Sequence, residues 1–282
     1  MYFRSSMQFT SDERVVWKMS DGFKLKIEVP EVLEDQAKAL TMPLAENAGT
    51  TLGDLWYLAM GWASQLAAKK RVKHSVALEQ YKRELEEKLN AIPEERRIEP
   101  NTQVALNALV DSQSCVEEET LREMFANLIV AACDADKANA VHPAFSGIIK
   151  QLAPIDAELL QVFRNENDLP IVGMKLVGDG QHWEIYSNVF LANTAKYPPL
   201  VQASTVACWS MLGLIDVRYD VQFADQSMYD EFLATEEYRE LAKTEKLYVA
   251  GTEVEYEVKN AELSKGKLIL TAFGQRFLKV CM

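Results

Sequence analysis

Residues Leu121–Phe145 read LREMFANLIVAACDADKANAVHPAF. Leu121, Met124, Phe125, Leu128, Ile129 and Ala132 fall on one stripe of a 3.6-residue period, which predicts an amphipathic helix with that stripe turned to a core. Glu117, Glu118 and Glu119 crowd its first turn, where the helix dipole favours carboxylates. The stripe stops at Asp134. Pro143 can open the next helix at its first position, and His142 before it is biased toward extended backbone. Asp134, Asp136 and His142 lie within nine residues, which raises the question of a divalent-cation or catalytic site. The run lacks the Gly and Glu that a calcium loop needs. Helix, polar loop, helix accounts for every residue, so the expectation is a structural connection with no metal.

The neighbouring segments are read the same way. In ALEQYKRELEEKLNAIP, Leu78, Tyr81, Leu85, Leu89 and Ile92 share a face and Pro93 stops the helix. Glu79–Arg83 and Glu84–Lys88 are spaced i,i+4 in the favoured order. NTQVALNALVDSQ reads as a short helix with Val104, Leu106, Leu109 and Val110 inward. The proline-bounded run PEERRIEP connects these two, and Arg96 and Arg97 are expected to pair with adjacent acids or to offer a weak phosphate contact.

At 282 residues, 48% apolar and 26% charged, the chain has enough apolar content for about two packed domains. Its net charge is −12, and residues 151–282 carry 12 Lys+Arg against 19 Asp+Glu. Such a chain repels phosphate backbones, so a general nucleic-acid binder is disfavoured. Cys115, Cys133, Cys208 and Cys281 are widely spaced, and only three histidines are present. A disulfide framework or structural zinc site is not expected, and a reducing cytoplasm fits best. No G-x-S-x-G stretch or Gly-rich phosphate loop occurs. MYFRSSMQFTSDER has no apolar core of a secretion signal.

Leu52–His74 admits more than one reading. Leu52, Leu55, Trp56, Leu58, Ala59, Trp62 and Leu66 give a wide apolar face beside Tyr57, Met60 and Ala63. The stretch is shorter than the ~20 apolar residues a spanning helix needs, so a buried core helix is expected. Lys69, Lys70, Arg71 and Lys73 follow at once, which leaves a membrane-surface role for Leu52–Lys73 as the alternative.

Toward the N-terminus, Phe23, Leu25, Ile27 and Val29 alternate with polar residues beside the Asp21-Gly22 turn, predicting a β-hairpin. Past Leu152, APIDAELLQVFRN predicts a helix, and IVGMKLV and HWEIYS two strands around Gly178-Asp179-Gly180. PPLVQASTVACWSMLG predicts a helix ended by Gly213, with Val201, Thr205, Cys208, Trp209 and Leu212 inward. A strand from Ile215, a polar helix at 228–243, a hairpin turning at Lys265-Gly266 and a helix capped by Thr271 follow. That order suggests a winged-helix-like module. Its recognition-position helix carries no Lys or Arg, which counts against DNA contact.

Four phrases in order resemble the Abi-alpha family of bacterial proteins. They are LGDLWYLAMG, EQYKRELEEKLNAIPEERRIEPN, EEETLREMFANLIVAACDADKANAVHPAFSGIIKQLAPIDAELL and GKLILTAFGQRFLKVC. The resemblance implies abortive infection, a phage defence in which the infected bacterium stops growing or dies. It brings no reaction, cofactor or catalytic residue with it.

The expectation is therefore a mostly α protein with a minor β part. An N-terminal β-hairpin covers residues 1–30, an α-helical Abi-alpha-like domain 31–152 and a winged-helix-like α/β module 153–282. Functionally it is read as a non-enzymatic binding or sensing protein, without cofactor or metal. The partner is another protein or a second copy, and any small-molecule ligand is unknown. Lys69, Lys70, Arg71, Lys73, Arg96 and Arg97 form the candidate interaction surface. The alternatives are a membrane-associated effector and a winged-helix nucleic-acid-binding regulator.

Overall fold

A computed structural model of the chain describes residues 6–10, 14–18, 24–27, 52–56, 59, 71–178, 180–248 and 255–282. The fold is mostly α with a minor β part. Ser6–Thr10 (β1), Arg14–Lys18 (β2) and Lys24–Ile27 (β3) form an antiparallel sheet in that order. The expected hairpin is thus accompanied by a third strand, with Lys18 opposite Lys24. The Asp21-Gly22 turn lies outside the described residues.

The helical part is built around Glu119–Ala132. It contains Arg71–Asn90 (α1), Thr102–Ser112 (α2), Glu119–Ala132 (α3), Ala144–Gln151 (α4) and Pro154–Leu159 (α5). All six expected stripe residues of α3 are buried. α3 packs against α1, α2 and α4. Burying each of the five large side chains in that stripe contributes about 2 kcal/mol, against a few tenths for an exposed i,i+4 pair such as Glu79–Arg83. Packing rather than surface charge sets the position of α3.

Tyr81, Leu85 and Leu89 of α1 are buried as expected, as is Ile92 just beyond its end. The expected Glu84–Lys88 pair is replaced by contacts between helices. Glu84 takes Arg122 at 2.8 Å, and Lys88 reaches Glu123 and Asn127 on α3. α2 starts at Asn101, whose side-chain oxygen accepts from the N–H groups of Gln103 and Val104. Val104 and Leu109 are buried and Leu106 packs against the core as expected, but Val110 is exposed and Ala105, Ala108 and Ser112 complete the inner face. Small residues on the inner face suit close packing against α3 and α4, which α2 touches.

Residues 52–56 are helical, with Leu52, Leu55 and Trp56 buried in the same apolar cluster. Trp56 lies 5.4 Å from Tyr81 between ring centroids, tilted by 47°, and Gln113 donates to the Ala59 carbonyl. This part of the stretch is core. Tyr57, Leu58 and residues 60–70, Trp62 included, lie outside the described residues.

The second half carries a four-stranded antiparallel sheet in the order β5-β4-β9-β6. Its strands are Asp168–Gly178 (β4), Gln181–Val189 (β5), Ile215–Arg218 (β6) and Asn260–Leu270 (β9). Pro199–Met211 (α6) packs on β5 and β6, and Gly213 at φ +71° ends it as expected. Asp230–Leu233 (α7) and Glu236–Ala242 (α8) cover the face carrying Val172, Met174 and Leu176. Lys246–Tyr248 (β7) pairs with Glu255–Glu257 (β8). Thr271 caps Ala272–Cys281 (α9), its hydroxyl accepting from Gly274 N–H at 2.9 Å.

One strand corrects the sequence reading. Lys265-Gly266 is not a turn, because β9 runs through it and pairs with β4 from Asn260 to Ile269. A Cβ on Gly266 would stand 2.6 Å from the Arg218 carbonyl oxygen and 2.8 Å from Tyr219 Cδ1. The glycine is there for close approach inside a sheet.

One apolar cluster runs from Leu52 through Phe125, Phe145 and Leu152 to Trp209, Leu268 and Cys281, across the expected 152/153 boundary. α9 packs on α3, and Asn127 donates to the Cys281 carbonyl.

Candidate functional site

The charged groups flagged by the sequence meet at the end of α3. The Arg96 guanidinium holds Asp134 at two points, with Nε donating to Oδ1 at 3.0 Å. The same Nε lies 2.9 Å from Asp136 Oδ2. Asp134 also accepts from Asp136 N–H, and its carbonyl accepts from Lys137 and Ala138 N–H. Arg97 and Asp134 form an antiparallel bridge, flanked by Ile98 N–H to Cys133 O and Ala135 N–H to Arg96 O. Burial is the largest single influence and raises the Asp134 carboxyl, but the Arg96 hydrogen bonds, the Asp136 N–H and the charges of Arg96 and Lys137 together outweigh it and leave its pKa below the ordinary value. Hydrogen bonding to Asp134 in turn raises Arg96.

Arg97 turns the other way. Its Nε donates to Ile92 O at 2.9 Å and its Nη2 to Asn90 O at 3.1 Å, supplying partners to carbonyls at and just beyond the end of α1. His142 joins a ring cluster, edge-on to Phe273 at 5.5 Å and tilted against Phe145 at 5.8 Å. Its Nδ1 accepts from Ala144 N–H. Asp134 is thus engaged with arginine and His142 with phenylalanines. No group of three or more His, Cys, Asp or Glu among the described residues is arranged to hold a metal ion. Lys69 and Lys70 lie outside the described residues, and Arg71 and Lys73 are described only as the helical backbone of the first turn of α1.

The structure adds a cluster that sequence reasoning missed. Asp111 on α2 accepts from Ser146 Oγ at 2.5 Å and from Lys150 Nζ at 2.8 Å, both on α4. The i,i+4 spacing of Ser146 and Lys150 was a readable signal, but nothing in the sequence showed that Asp111 would face it. A Ser-Lys pair performs nucleophilic chemistry when the lysine is neutral. Here the Asp111 hydrogen bond raises Lys150 above its ordinary value and holds it charged, so the trio is an ion-pair clamp between α2 and α4. Three thiols are held in their neutral, unreactive form by burial. Burial pushes Cys133 up to about 12 and Cys208 to about 11, and Cys281 is well above the usual value.

α6 presents the contrasting surface. Its inner face is Gln202, Thr205, Val206 and Trp209, all buried. Trp209 Nε1 donates to Asp156 O at 3.1 Å, and its ring lies between Phe163 and Phe190. Gln202 ties down the preceding loop by accepting from Ala192 N–H and donating to Tyr197 O. Of the expected inward residues, Thr205 and Trp209 are buried and Cys208 and Leu212 pack partly buried against the core; only Val201 faces out (43% exposed), and Gln202 and Val206 join the inner face. The outer face carries Leu200 (41%), Ser204, Ala207 and Met211 (73%). No charged residue occurs anywhere in the helix.

Among the described residues, no helix is long and apolar enough to cross a membrane. The model of the family described as abortive infection alpha matches residues 73–281. No curated protein and no solved structure matches the chain.

Proposed function

We infer the function from the premise that this chain belongs to the abortive infection alpha family. That membership supports a role in phage defence. Within it, the chain is read as a non-enzymatic binding or sensing protein of the bacterial cytoplasm, where its four free cysteines stay reduced.

The observation that carries this reading is the outer face of α6. Arg96, Arg97, Arg122 and Lys150 have partners inside the fold. By contrast, Leu200, Val201 and Met211 leave apolar surface in water on a helix free of charge. Grouped exposed apolar side chains are the usual mark of an interaction site.

The test is phage challenge of a bacterial host expressing the full chain or its Met211→Asp variant at equal abundance. The expected result is lower plating efficiency with the wild type and restored plating with the variant. Full protection by Met211→Asp would remove the α6 face from the function, and no protection by the wild type against a broad phage panel would overturn the defence role.

A further inference from the structure

We draw no further inference here: the strongest candidate, the exposed apolar patch of Leu200, Val201 and Met211 on the outer face of α6, is an unpartnered helix face, and nothing in the structure shows what covers it.

Discussion

Arg96 and Asp134 form a two-point ion pair that joins segments 38 residues apart, closing the PEERRIEP connection onto the end of α3. Asp134 is almost wholly buried, so removing its arginine leaves a carboxylate held only by the Asp136 N–H and the charge of Lys137. Arg96→Met is expected to lower the melting temperature by on the order of 5 °C. The Asp134 carboxyl lies below its ordinary pKa in the fold. Its stabilisation is therefore fully present above about pH 4, the unfolded value, and is lost as pH falls through the folded one. The gap in melting temperature between wild type and Asp134→Asn should be widest near neutral pH and narrow below about pH 4. A gap that persists unchanged at pH 3 would contradict this role.

Gly266 gives a second expectation. A methyl group there meets the Arg218 carbonyl and the Tyr219 ring, one of which must move. Gly266→Ala should cost about 1–3 kcal/mol in urea unfolding, whereas a solvent-facing turn at Lys265-Gly266 would tolerate alanine. An unchanged urea midpoint would argue against the continuous strand.

Trp56 separates core from membrane contact in the segment before α1. It is buried against Tyr81. Trp56→Ala is expected to cost about 3–5 kcal/mol and to leave the soluble fraction of the folded protein unchanged. A variant that melts like wild type but no longer pellets with membranes would reverse that assignment.

The thiols offer a chemical check. With burial holding Cys133 near 12 and Cys281 well above its usual value, both should resist iodoacetamide at pH 8 in the native protein. Both should label within minutes in urea. Peptide mass spectrometry reads the result, and rapid native labelling of Cys281 would show that α9 is not seated on α3.

Legibility followed the contrast between apolar and charged positions. α3 was readable because its stripe is flanked by Glu, Arg and Asn. Its neighbour α2, and α6 even more so, have small or uncharged residues on nearly every side, so the edges of the inward face could not be told from composition. Val110 and Val201 both turned out exposed for that reason. Lys265-Gly266 misled because glycine serves turns and close strand approach alike. Of the candidate surface residues, Arg96 and Arg97 proved engaged inside the fold, through partners such as Asp134 and Ile92 O. Those pairings depend on tertiary placement that local spacing does not encode. The α6 face was readable only as a helix without Lys or Arg.

The seating of α9 on α3 has a consequence for biosynthesis. Phe145 is covered by Phe273 and Phe277, and β4 finds its partner in β9, so both halves of the fold wait for residues near 270. A nascent chain that has emerged only as far as α4 shows an unclosed bundle face to the cell. Contacts this distant in sequence close slowly, and the interval is one in which chaperones and proteases compete for the same apolar surface.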